Sequence, residues 1–294
     1  MPFKLGLTQD FRNASGDIGW GDIGLRALEA YPDITWEFLA DSGPDISRQA
    51  ADDYDALLVL GPRVTAETVS GGGRLKLIAR FGVGYDNVDV DACTQAGVLV
   101  TITPDGVRRP VATGALALIL ASTHNLLAKD GLTRSNRWQD KLDHMGVGLT
   151  GKWLGIVGLG NIGREIVALT KALDMRFQAY DPYLDPEIAR SLGVQLVDLP
   201  TLMATSDVVC VTAALTIETR HLIGAREIGL MKPSAHFVNV ARGGLVDQVA
   251  LTTALAARAI GGAGLDVFDP EPPAPDDPLL SLDNVVLAPH ALCW

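Results

Sequence analysis

GIVGLGNIG, residues 155–163, decides the fold. It sets Gly158-x-Gly160-x-x-Gly163 between an apolar strand pattern, 153–157, and an amphipathic helical pattern, 162–173. Each glycine has a physical task there. Gly158 permits a tight turn, Gly160 lets the backbone approach a pyrophosphate, and Gly163 lets helix and strand pack closely, while the N–H groups opening the helix face the phosphates. The next strand pattern, 176–180, ends at Asp181, about 20 residues beyond the turn. A carboxylate at that place can take both ribose hydroxyls and repels a 2′-phosphate, which favours NAD over NADP.

Outward from the turn the alternation continues. Strand patterns at 208–212, 236–240, 263–267 and 285–287 are separated by helical ones at 187–192, 199–204 and 248–259. Six strands with a glycine turn after the first predict a doubly wound parallel sheet. Upstream, strand patterns at 3–7, 35–39, 56–60, 76–80 and 98–101 alternate with helical stretches such as 23–30 and 88–95, predicting a second α/β sheet. Between the two series, 111–127 is Ala/Leu-rich and too long for a strand, so it reads as a long buried helix followed by a polar stretch, 129–141. The proline-dense run 269–275 reads as a stiff loop.

The bulk properties agree. At 294 residues the chain has length for two domains, and 48% hydrophobic with 20% charged residues is a globular composition. A net charge of −11 disfavours nucleic acid and anionic membranes as partners. The longest apolar stretch, 115–121, is far short of the ~20 residues of a membrane helix, and the N-terminus shows no export signal. Cys93, Cys210 and Cys293 lie far apart without CxxC spacing, which argues against a structural metal and a disulfide framework and fits a cytoplasmic location.

Hydride transfer to a 2-oxo acid needs an acid to protonate the carbonyl oxygen and a cation to hold the carboxylate. Three residues at the ends of separate strand patterns offer the parts. Arg242 follows 237–240 and precedes Gly243-Gly244, where a guanidinium can fork onto a carboxylate. Glu271 sits between Pro270 and Pro272 after 265–268, and His290 follows 284–287 behind Pro289. A carboxylate beside a histidine holds its ring and stabilises its charged form. His124, His144, His221 and His236 read as ordinary polar residues.

The chain resembles the D-isomer-specific 2-hydroxyacid dehydrogenases, from about residue 50 to its end. The resemblance rests on FGVGYDNVD (81–89), GKWLGIVGLGNIG (151–163), YDP (180–182), MKPSAHFVNVARGGLVD (231–247), GLDVFDPEP (264–272) and NVVLAPH (284–290). It implies two doubly wound parallel-sheet α/β domains. A flavodoxin-like substrate domain, 1–102 with 286–294, would carry an inserted Rossmann NAD-binding domain, 103–285, with the reaction in the cleft between them. Arg242 would then hold the substrate carboxylate, His290 would be the acid and base, and Glu271 its partner. Gly158, Gly160, Asn161, Ile162 and Asp181 would contact the cofactor, with Val240 and Asp266 on the nicotinamide side. The N–H groups of Val83 and Gly84 would help bind the substrate carboxylate, with Phe81 and Tyr85 lining the pocket. The resemblance also implies a small 2-oxo or 2-hydroxy acid substrate and a homodimer.

The chain also departs from the family pattern. It has Thr212-Ala213-Ala214 where the family often has His-x-Pro, and Val111-Ala112-Thr113 where the interdomain helix usually has Val-Ala-Glu. It stops at Trp294, before a further helix that the family carries, so a C-terminal shortening is expected. Arg108 and Arg109 raise the expectation of a second anion contact, against solvated linker arginines as the plainer reading. The functional alternatives are a non-catalytic NAD-sensing protein on the same scaffold and a phosphite- or formate-type dehydrogenase; glutamate at 271 disfavours formate.

Overall fold

Runs of aliphatic residues become two all-parallel sheets in the computed structural model, which describes residues 2–40 and 43–293. Met1, Asp41, Ser42 and Trp294 belong to the expected domain ranges but lie outside the described residues. The chain divides into two units, Met1–Gly106 and Val107–Trp294.

In the first unit, β1 (Phe3–Leu7), β2 (Ile34–Phe38), β3 (Ala56–Val59), β4 (Leu77–Arg80) and β5 (Leu99–Thr101) form a sheet of order β2-β1-β3-β4-β5. That is the flavodoxin-like order. Leu57, Val59 and Ile78 are fully buried and pack with Leu39 and Cys93. The helical stretch expected at 23–30 is only a 3₁₀ segment, Leu25–Ala30, none of whose residues is buried. Without an apolar face to dock, a short helix has nothing to offset its nucleation cost. The 88–95 expectation corresponds to helix Val90–Ala96, which Asp89 caps by accepting from the Ala92 N–H and which Gly97 ends in a left-handed conformation.

The second unit holds β6 (Trp153–Val157), β7 (Arg176–Tyr180), β8 (Val194–Leu196), β9 (Val208–Val211), β10 (His236–Asn239), β11 (Gly262–Leu265) and β12 (Val285–Leu287). Their order is β12-β11-β10-β9-β6-β7-β8, a doubly wound sheet. The sheet has seven strands, one more than expected. β8 is three residues, Val-Gln-Leu, too short to show a period. Successive residues of the central strands serve opposite faces: Val209, Val211 and Phe237 join one core, and Val208, Cys210, Val238 and Val240 the other. The chain order reverses between β6 and β9, so the glycine turn after β6 sits at the switch point where such sheets bind ligands.

The boundary between the units falls at 106/107, not at the expected 102/103, and the long helix and the tail also depart from expectation. The long helix runs Arg108–Thr123, then breaks at Asn125 (φ +50°) and resumes as Leu126–Arg134, which runs from the end of the expected helix into the stretch read as polar. Asparagine tolerates the left-handed region, which ends a helix without help from glycine. The tail, 286–294, was expected with the first unit. Its residues through Cys293 instead pack in the second: β12 pairs with β11, the Ala288 N–H donates to the Leu265 carbonyl, and Leu292 and Cys293 adjoin that unit's core. Continuing the sheet register satisfies the backbone groups of the tail there.

Candidate active site

The glycine turn has the construction its sequence implies. Gly158 has φ +90°, and a Cβ on it would lie 2.6 Å from the Ala213 Cα, so both space and backbone demand glycine. A Cβ on Gly163 would lie 2.6 Å from the Gly158 carbonyl oxygen and 3.0 Å from Ile156, which explains the close helix–strand approach. Gly160 faces open space and caps helix Asn161–Thr170 with no side-chain hydrogen bond. Asn161 is exposed and Ile162 half-buried at that helix start. Thr212-Ala213 fits this turn directly, for the Thr212 hydroxyl donates to the Gly158 carbonyl at 2.5 Å.

Asp181 is tied to the same turn. Its Oδ2 accepts from the Leu159 N–H at 2.9 Å and its Oδ1 from the Tyr183 N–H at 3.1 Å. Each carboxylate oxygen accepts more than one hydrogen bond, so these contacts orient the group and leave it capacity for hydroxyls. Bare turn, uncapped helix start and oriented acid fit a dinucleotide.

At the carboxyl ends of β10, β11 and β12, the sheet sets three loops side by side. Asn239, 2% exposed, closes the first: its side chain donates to the Arg242 carbonyl at 2.9 Å and accepts from the Ala241 N–H at 3.0 Å. Half-buried Arg242 donates through Nη1 to the Ala241 carbonyl at 2.7 Å. The next residue seals the loop against its neighbour, since a Cβ on Gly243 would lie 1.9 Å from the Phe268 carbonyl oxygen. Only glycine allows that backbone-to-backbone contact.

Glu271 and His290 meet. Oε1 of Glu271 accepts from the Phe268 N–H at 2.8 Å, and Oε2 lies 2.8 Å from His290 Nδ1. An ionised carboxylate only accepts, so Nδ1 carries the proton and Nε2 is left for other partners. Burial pushes the Glu271 carboxyl up, but the hydrogen bonds from His290 and Phe268, with the charges of His290 and Arg242, outweigh it and hold it below the ordinary glutamate value. Arg242 thus belongs to the same electrostatic group. His290 itself adopts a left-handed backbone, φ +53°.

Asp266, expected near the nicotinamide, turns its carboxylate to the tail. It is 4% exposed and accepts from the N–H groups of Ala291 at 3.0 Å and Leu292 at 3.4 Å. Burial raises its pKa against the pull of those bonds. Val240 is buried at the end of β10. Sequence reading passed over Asn239. Its only signal was an amide directly before an Arg-Gly-Gly turn, and amides that close turns are common.

In the first unit, the loop after β4 is anchored on both sides of Val83 and Gly84. Gly82 (φ +139°) donates to the Thr103 hydroxyl and accepts from the Thr103 N–H. Asn87 donates to the carbonyls of Leu60, Gly61 and Pro62. The Phe81 ring stands edge-on to Phe11 and Trp20, with centroids 5.3 and 6.5 Å away, so it packs among aromatics; Tyr85 is exposed. Val83 and Gly84 lie between the anchors and are half-buried.

Arg108 and Arg109 meet the same carboxylate: Glu165 lies 2.5 Å from Arg109 and 3.5 Å from Arg108. The expected second anion contact is therefore opposed by an acid already in place. Among the described residues there is no His/Cys/Asp/Glu group suited to a metal, and no single helix is long and apolar enough to cross a membrane.

Comparison with known proteins points to one family. Residues 116–291 match the family model of the D-isomer specific 2-hydroxyacid dehydrogenase NAD binding domain. A D-3-phosphoglycerate dehydrogenase of Archaeoglobus fulgidus is 44% identical over 238 residues, 81% of this chain and 45% of that protein. The chain thus spans less than half the length of that relative. A glyoxylate reductase of Korarchaeum cryptofilum is 38% identical over 273 residues, 91% of this chain and 82% of that one. A D-lactate dehydrogenase structure from Aquifex aeolicus, complexed with NAD and lactic acid, superposes with a TM-score of 0.84 at 27% identity, covering 98% of this chain and 88% of that one. With a family model matched over more than half of its length and relatives this similar, the chain belongs to the D-isomer-specific 2-hydroxyacid dehydrogenase family.

Proposed function

We propose that this chain is an NAD-dependent 2-hydroxyacid dehydrogenase that interconverts a small 2-oxo acid and its D-2-hydroxy acid. The observation that carries the reading is the 2.8 Å pair of His290 Nδ1 and Glu271 Oε2 at the strand ends that also present Arg242. A nicotinamide dinucleotide, bound at the glycine turn, supplies or accepts the hydride. The protein's own part is to hold the acid and move the proton. In reduction, His290 Nε2 gives its proton to the oxygen of the carbonyl, and Glu271 stabilises the imidazolium before transfer. In oxidation, neutral His290 takes the hydroxyl proton back. Arg242 grips the carboxylate, and we assign the Val83 and Gly84 N–H groups as further donors to it. Asp181 supports NAD over NADP, since a 2′-phosphate beside it meets a fixed negative charge.

The test is a panel of 2-oxo acids (glyoxylate, pyruvate, hydroxypyruvate, phenylpyruvate, phosphohydroxypyruvate) with NADH and with NADPH, followed by loss of nicotinamide absorbance. Reduction of at least one with NADH is expected. In His290→Ala, kcat should fall by about 10²-fold or more while NADH binding persists. A wild type that binds NADH and reduces none of them would instead support the non-catalytic reading.

A further inference from the structure

One face of helix Arg108–Thr123 is spent on three contacts. Ser122, in its last turn, lies 2.8 Å from Nδ1 of buried His236 at the start of β10. One turn earlier, the Leu118 Cβ comes so near β11 that a Cβ on Gly264 would lie 2.8 Å from it. One turn earlier again is Gly114, where an added Cβ would stand 2.6 Å from the Leu292 Cβ and 3.0 Å from the Leu292 carbonyl oxygen. Spacing of four residues puts the three on one stripe. A glycine inside a helix costs about 1 kcal/mol relative to alanine, so its place here calls for a reason. The reason on the page is the tail.

Leu292 is two residues after His290. Its backbone N–H, with that of Ala291, is held by buried Asp266, and its side chain and carbonyl sit against Gly114. His290 itself is half-exposed and in a left-handed conformation, which is uncommon for a non-glycine residue. We propose that Gly114 is a positioning residue for His290: by admitting Leu292 to the helix surface it fixes the tail whose turn aims the imidazole at Glu271. The inference rests on His290 being the acid and base only in so far as turnover is used to read it.

The decisive variant is Gly114→Ala, which by helix propensity alone should leave the helix as stable or more so. The expected result is a kcat lowered about 10- to 100-fold with NADH affinity and melting temperature close to wild type, as a misplaced catalytic group costs rate without costing fold. The ring ¹⁵N shifts of His290 give a reading that needs no turnover. They should report the Nδ1–H form held by Glu271 in the wild type and a tautomer mixture in the variant. Leu292→Gly loosens the same contact from the other side, so the double variant should lose no more than the worse single one. Wild-type kcat and ring shifts in Gly114→Ala, or additive losses in the double variant, would overturn the proposal. If the wild type reduces no 2-oxo acid, the functional reading falls and the ring shifts alone decide the positioning one.

Discussion

His236 ties stability to pH. The ring is 4% exposed, bonded to Ser122, and packed where a Cβ on Gly261 or Gly262 would come within 3.1 Å of it. Burial lowers its pKa from 6.5 to about 4. The folded chain therefore binds fewer protons than the unfolded chain between those values. Stability contributed by the neutral ring is full above the unfolded value and is lost as pH falls from about 6.5 to about 4. A shift of that size corresponds to about 3 kcal/mol, a large part of the stability of an ordinary domain. The losses from acid groups held low, Asp207 beside Lys232 and Glu271 beside His290, begin below their ordinary values of 3.8 and 4.5, and so overlap only the end of the window. Urea unfolding of wild type and His236→Asn across pH 7 to 4 checks this. Asparagine keeps a partner for Ser122 and does not titrate, so the variant should be less stable at pH 7 yet show a flatter slope. Equal slopes in the two proteins would refute the reasoning.

Other outcomes follow from single contacts. Asp181→Ser should narrow the preference for NADH over NADPH, measured as a ratio of kcat/KM, and should also lower affinity for NADH because the Leu159 N–H loses its acceptor. Cys210, whose thiol burial pushes up to about 12, should react with a thiol reagent only after denaturant is added. Because Glu165 already engages both arginines, Arg109→Ala should change rates on phosphorylated and unphosphorylated 2-oxo acids by the same factor. A selective loss on the phosphorylated one would restore the second-anion reading.

Much of this was legible because the chemistry is local. Gly158, Gly160, Gly163 and Asp181 lie within one strand-turn-helix-strand unit, where spacing alone fixes which residue faces a phosphate and which a ribose. Arg242, Glu271 and His290 could be placed on one sheet edge because each follows its own parallel strand. The rest depends on partners distant in sequence. Nothing near Asp266 announces that its carboxylate takes the N–H groups of Ala291 and Leu292, since that requires knowing where the tail lies. The break at Asn125 was hidden because the apolar runs on either side of it, 115–121 and Leu126-Leu127, read as one helix, and the 3₁₀ turn at Leu25–Ala30 by a pattern that has no surface to pack on. At Leu25–Ala30 the lack of a packing partner set the outcome, and at Asn125 the backbone preference of one residue did.

The seam at Gly243 has a bearing on how these two loops can be altered. Two segments, one presenting the Arg242 guanidinium and the other leading to Glu271, touch through bare main chain with no side chain between them to absorb a change. A change that moves either segment toward the other drives its peptide planes into its neighbour, so the two must be matched to each other. A graft that exchanges both segments as one piece should therefore keep the fold better than a graft of either one alone.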